Sequence, residues 1–148
     1  MTQTVFLKIR RWENSRPAKF SHPLETGDLV IIETEEGLES AIVEKVKNEA
    51  EQGKPAETPG VKIIRKASMR DLNIIKEYRQ KEEEALKICR DEVKKTDLPM
   101  KIVGVSYSFD GGIISFAFIA DGRVDFRELV KTLSKNFQRS IRLHQIGA

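Results

Sequence analysis

The sequence predicts an α+β protein: a small N-terminal β lobe, then a split βαβ, ferredoxin-like sandwich with a long first helix. Three features carry that prediction. Short alternating apolar segments crowd the first fifty residues. A stretch rich in proline and glycine follows. From Val61 onward the segments then run strand, helix, strand, strand, helix, strand. The expected organisation is a β-sheet or barrel-like lobe at 1–50, a linker at 51–60 and an α/β sandwich at 61–148.

Residues 5–11 alternate and read as a strand. Thr26-Gly27-Asp28 punctuates the approach to the β-branched run at 29–34, and Glu36-Gly37 supplies a hairpin turn. Residues 39–47 read as the next strand, with Ala41, Val43 and Lys45 on one face and Ile42, Glu44 and Val46 on the other. Three or four such strands make a small core, so the lobe is expected to lean on the rest of the chain. Residues 48–60 hold two prolines and two glycines with almost no large apolar group, too little burial to offset the entropy of ordering.

Residues 61–66 read as a strand. Ser68 is placed to cap a helix, with Asp71 three residues on, where a carboxylate suits the exposed amides. That helix is expected to run to about Lys95, before Pro99. Its middle, RQKEEE at 79–84, lacks apolar residues and offers Glu77/Lys81, Arg79/Glu83, Glu83/Lys87 and Lys87/Asp91 at i,i+4. Residues 100–109 and 113–119 alternate about the turn signal Asp110-Gly111-Gly112, which predicts a hairpin. Asp125 and Glu128 have the spacing of a capping box, and Phe126, Leu129, Val130, Leu133 and Phe137 form one helical face. Residues 140–146 alternate as a final strand.

Composition narrows the function. With 39% hydrophobic and 33% charged residues the chain can bury a core and is not of the disordered class. No segment approaches the roughly 20 apolar residues of a membrane span, and the N-terminus builds no secretory h-region. A single cysteine, Cys89, excludes an internal disulfide framework, so a cytoplasmic location is expected. Residues 1–60 carry 8 basic against 11 acidic side chains, and residues 61–148 carry 18 against 12. The basic half is the one that would attract phosphate or an acidic partner.

Catalytic and metal constellations are not legible. His22 and His144 stand in different lobes, and Cys89 has no second cysteine to chelate with. Cys89 falls among apolar positions of the long helix and reads as a packed thiol. Asp110 and Asp121 each precede a glycine, but a strand separates them by on the order of 20 Å, too far for an acid–base pair. Neither glycine cluster has the spacing of a phosphate loop.

Two charged surfaces remain. Arg127, Lys131, Lys135 and Arg139 recur every four residues, with Arg123 and Arg142 extending the row. The row reads either as the solvated edge of an amphipathic helix or as a contact for phosphate or an acidic protein. It lacks interleaved aromatics; Tyr107, Phe109, Phe116 and Phe118 read as core. The second surface is the long helix around Arg79, Lys81, Glu83 and Glu84, either a solvated face or a site for a helical partner.

Several strings together carry a resemblance: ETEEGLESAIVEKV, then EEALKICRDEVKKTDLPMKIVGVSYSFDGGIISFAFIADGRVDFRELVKTLSKNF, and IRLHQIG. They resemble the polymerase-suppressor (PSP) C-terminal region family, in its bacterial YaaT/RicT-like branch, across nearly the whole chain. The resemblance implies a non-catalytic cytoplasmic regulator. It implies assembly with two small helical partners, RicA (YmcA) and RicF (YlbF), on the endoribonuclease RNase Y, with effects on mRNA maturation, sporulation, competence and biofilm formation. Some eukaryotic members are associated with RNA binding. The alternative reading is therefore a direct RNA-binding module that uses the basic C-terminal helix. The most specific match is Asp121, Gly122, Arg123, Asp125, Phe126, Arg127, Glu128 and Leu129. Of these, Arg123 and Arg127 suit contact, and the others suit turn, cap and core. The bacterial pattern continues past QIG into a cysteine-rich tail tied to an iron–sulfur cluster. This sequence ends at Ala148, and Cys89 alone cannot replace those thiolates, so no cofactor is expected on these residues.

Overall fold

The computed structural model describes residues 3–48 and 60–148. Its elements are β1 (Gln3–Lys8), β2 (Arg16–Phe20), β3 (Leu29–Thr34), β4 (Gly37–Asn48), β5 (Val61–Lys66), α1 (Met69–Thr96), β6 (Lys101–Tyr107), β7 (Ile113–Ile119), α2 (Arg127–Phe137) and β8 (Ser140–Gly147). The expected α+β class is present, with a strand lobe first and a long helix between strands. Residues 51–59 of the expected linker lie outside the described residues. The chain divides into two compact units, Met1–Ile75 and Lys76–Ala148.

The first unit is one antiparallel sheet in the order β2-β1-β4-β3-β5. Its edge strands β2 and β5 come within 8 Å between Cα atoms, so the sheet curls toward a barrel. Alternation points Val5 and Leu7, Val30 and Ile32, Ala41 and Val43, and Val61 and Ile63 into one core. The edge strand β2 was not signalled in the sequence, and its Pro17 is tolerated because an edge leaves one backbone side unpaired.

Two expectations change here. In β4, Phe6 pairs with Lys45 while Leu7 pairs with Val43, so Glu44 is an extra residue in a β-bulge. Past it the faces exchange: Val46 packs on the core, and Lys45 and Lys47 lie opposite Phe6 and Thr4. The strict alternation read through residues 39–47 therefore fails after Val43. Second, β5 was expected to open the ferredoxin-like sandwich, but it pairs with β3, from Thr34 opposite Val61 to Val30 opposite Lys66. Val61 and Ile63 complete the first core, and the second sheet has three strands instead of four.

In the second unit β6 and β7 form the expected hairpin, and β7 and β8 run parallel through the α2 crossover. The sheet order β6-β7-β8 puts β7 in the centre, where Ile114–Phe118 are all buried. Phe116, Phe118, Ile102 and Ile141 meet Ala85, Cys89 and Val93 of α1 and Leu129 and Leu133 of α2. Cys89 is fully buried, and burial pushes its thiol up to about 12.

The helix ends explain their own positions. The Ser68 Oγ accepts from the Asp71 backbone N–H at 3.1 Å, and an Asp71 carboxylate oxygen accepts from the Ser68 N–H at 3.0 Å. This is the reciprocal cap that the sequence announces. Arg65 adds two hydrogen bonds to the same carboxylate, at 2.9 and 3.0 Å, and holds it well below the usual carboxylate range. At α2 the expected capping box does not form. The helix begins at Arg127 with Phe126 at the N-cap and no side-chain cap bond, because Asp125 accepts instead from the Arg127 N–H and guanidinium.

Candidate functional site

The face of α2 follows from its core. Leu129 and Leu133 are fully buried, which turns Arg127, Lys131 and Lys135 outward together. Two of these cations have local acidic neighbours: Arg127 Nη2 lies 2.8 Å from Asp125, and Lys131 Nζ lies 3.7 Å from Glu128. The Arg127 side chain, then its backbone N–H, holds the Asp125 carboxyl down to about 2. Lys135 has no carboxylate partner among the described residues.

The row does not continue as expected. Gln138 takes the left-handed conformation, with φ 55°, and donates its N–H to Ser134, which ends the helix. Arg139 leaves the helical surface and donates from Nη1 to the Gly111 carbonyl at 3.0 Å. Arg142 stands on β8, exposed, and Arg123 is exposed between β7 and α2. The six basic residues are thus three on one helical face and three on other elements.

On α1, Arg79, Lys81, Glu83 and Glu84 are all exposed, around the helix from the buried positions Ala85, Cys89 and Val93. Among the described residues, the four i,i+4 pairs offered by the sequence do not close to ion-pair distance. Lys81 instead places Nζ 5.3 Å from the centre of the Tyr78 ring.

Tyr78 belongs to a cluster that the sequence reading missed. It lies seven residues before Ala85, on the continuation of the sheet-facing stripe of α1. Its ring stacks on Tyr107 at the end of β6, with centroids 5.2 Å apart and planes 21° from parallel. The Arg139 guanidinium lies 5.6 Å from both ring centres. Tyr107 had been read as plain core; it is half-buried at the margin of the core. Burial raises its phenol, while the charge of Arg139 acts the other way.

The turn between β6 and β7 makes the cluster possible. Gly111 has φ +75°, and a Cβ there would stand 2.1 Å from the Tyr78 hydroxyl. Only glycine leaves room for the ring. Asp110 shapes the turn by accepting from the Ser108 hydroxyl at 2.8 Å and from the Gly112 N–H at 3.0 Å. The DGG string was legible as a turn, but nothing in it announced a ring laid against it.

Among the described residues, no group of three or more His, Cys, Asp or Glu is placed to hold a metal ion. No helix among them is long and apolar enough to cross a membrane.

Comparison with known proteins adds the following. Residues 61–146 match the family model described as the PSP1 C-terminal conserved region. Over 124 residues, 84% of the chain, the sequence is 42% identical to the stage 0 sporulation protein YaaT of Bacillus subtilis, of which the match covers 45%. Over 80 residues, 54% of the chain, it is 34% identical to an uncharacterized protein of Schizosaccharomyces pombe, of which 11% is covered. The chain therefore spans about half the length of the bacterial relative and about a tenth of the yeast one. No solved structure matches it.

Proposed function

The chain belongs to the family defined by the PSP1 C-terminal conserved region, and on that premise we propose that it is a non-catalytic regulatory module that acts in sporulation control by assembling with other proteins. The observation that carries this reading is the extent of the similarity to YaaT: 84% of the chain, more than the family region alone occupies.

The finer reading is an adaptor. Its partners are small helical subunits of the RicA/YmcA and RicF/YlbF kind, and through them RNase Y, so that the chain tunes mRNA processing in the cytoplasm, with competence and biofilm development as further outputs. The exposed α1 face supports it, because Arg79, Lys81, Glu83 and Glu84 present both signs of charge without closing on one another. A helix carrying the complementary pattern finds steering and register there. This reading assigns the chain no catalytic residue and no cofactor.

The test is co-purification of the tagged chain with RicA-like and RicF-like subunits, with and without ribonuclease treatment. The adaptor reading expects a complex that survives digestion and is weakened on the order of tenfold by the pair Glu83→Lys and Glu84→Lys. No complex, or one that disappears on digestion, overturns it.

A further inference from the structure

We propose that the outer edge of β8 is a docking edge for an extended peptide, which joins the second sheet as a further strand and alternates acidic with apolar side chains. This goes beyond the assembly reading, which is placed on α1, and does not rest on it.

The two sheets have four edge strands, and three of them are obstructed. β2 carries Pro17 and comes within 8 Å of β5 between Cα atoms, so each of these two edges shields the other. β6 is interrupted by a register shift between Ile102 and Gly104, and Arg90 of α1 donates twice to the Ile102 carbonyl, at 3.0 and 3.1 Å. β8 differs. Its eight residues include no proline and no lysine, and its pairing with β7 is regular from Ser140 to Gln145. Among the described residues no strand lies on its far side, and Ser140, Arg142, Gln145 and Ile146 are exposed.

The backbone of β8 supplies the ladder. Ser140 donates its N–H to the Gly112 carbonyl, on the β7 side. By the two-residue repeat of a strand, the N–H and C=O groups of Ile141, Leu143 and Gln145 point the other way. The Ile141 carbonyl is met by the Arg142 guanidinium at 3.5 Å, a long contact from an exposed side chain that an incoming N–H can replace. A row of this kind is completed by a strand and not by a helix, whose own backbone groups are already paired.

The side chains set the chemistry of the occupant. On one face of β8, Ile141 and Leu143 join the second core, so apolar residues at every second position of an added strand extend that core. The opposite face presents Arg142, and from Gln138 to Ala148 the sequence holds two arginines, one histidine and no carboxylate side chain. Acidic residues at the intervening positions are attracted there. A second copy of β8 would instead set a basic strand against a basic strand with no acid to offset it.

The test is fluorescence anisotropy of the chain with a labelled ten-residue peptide of alternating valine and glutamate. Beside it stand a peptide of alternating valine and lysine and an N-methylated valine–glutamate peptide, which cannot donate from its backbone. The proposal expects the valine–glutamate peptide to bind and the other two to be weaker on the order of tenfold. Amide hydrogen exchange at Ile141, Leu143 and Gln145 should slow when that peptide is bound. Arg142→Glu, at an exposed position whose own N–H faces β7, should weaken the glutamate peptide, strengthen the lysine peptide and so reverse the preference. No binding at low salt, equal binding of the N-methylated peptide, unchanged exchange at the three amides, or a preference indifferent to Arg142→Glu each overturns the proposal. So does self-association of the chain that protects the same three amides, which would assign the edge to a second copy.

Discussion

The strand unit closes its core with charge, and the helical unit closes its core with aromatic rings. In the first, the inward stripe of β4 that carries Ala41 and Val43 begins at Glu39, which is 3% exposed. Arg10, 8% exposed, meets it at 2.5 Å and also reaches Glu13 at 3.1 Å. In the second, Phe116 and Phe118 fill the centre, and the margin is Tyr78, Tyr107 and Arg139. The core of the five-stranded unit is aliphatic, built on valine, isoleucine, leucine and alanine, and the paired Arg10 and Glu39 are buried beside it. A three-stranded sheet covered by helices can spend phenylalanine in the middle and leave tyrosine outside. Charge closes a boundary only while both partners remain, because removing one strands the other. Stacked rings tolerate more change and still leave a polar tip facing solvent.

The sharpest way to break this comparison is Phe116→Ala, which removes one of the two fully buried phenylalanines of the second core and is expected to cost about 3–5 kcal/mol. The sole tryptophan, Trp12, lies in the first unit, so denaturant titration followed by tryptophan fluorescence and by helical circular dichroism reads the two units separately. The dichroism midpoint should fall; a fluorescence midpoint that falls equally would show the two units unfolding as one. Glu39→Ala is the converse and should cost about 3 kcal/mol, read first by Trp12, since Arg10 keeps only the partly exposed Glu13. Gly111→Ala should cost about 1–3 kcal/mol, from a Cβ at positive φ driven into Tyr78, and should reduce the near-ultraviolet tyrosine signal of the stack.

The smallest effect concerns pH. The Asp71 carboxyl titrates lower in the folded chain than its unfolded value of about 3.9, so the unfolded state binds more protons through that window. The stabilisation from Asp71 is complete above about pH 4 and fades as pH falls toward the folded value. Asp71→Asn should cost about 1 kcal/mol near neutrality and flatten the acid limb of the stability curve, measured by thermal unfolding across pH.

Local chemistry acting over three or four residues was legible in the sequence only in part, since the α2 capping box and the i,i+4 pairs of α1 did not form. Ser68 and Asp71 formed the cap their spacing announces, and the DGG turn joined two alternating strands. The buried Cys89 was readable from its apolar neighbours on α1. The larger failures depend on partners distant in sequence. The destination of β5 is set by which core Val61 and Ile63 enter, and no local pattern distinguishes β3 from β7 as its neighbour. The bulge at Glu44 exists only relative to β1. The end of α2 at Phe137 turns on one left-handed residue, Gln138, where a four-residue charge repeat gave no warning. The Tyr78 cluster needed α1, the β6–β7 turn and the segment before β8 brought together, so Tyr78, Tyr107 and Arg139 become neighbours only in the fold.

The parallel pairing of β7 with β8 has a consequence during synthesis. When β6 and β7 have left the ribosome and closed as a hairpin, the outer side of β7 still displays its amides and carbonyls beside Ile114, Phe116 and Phe118. A hairpin supplies its partner within a few residues, whereas this partner follows a whole helix later, after Gln138 has turned the chain back. Until Ser140–Gly147 emerges, the nascent chain carries an unpaired apolar edge of the kind that recruits other strands. Slow translation through α2 would lengthen that exposure.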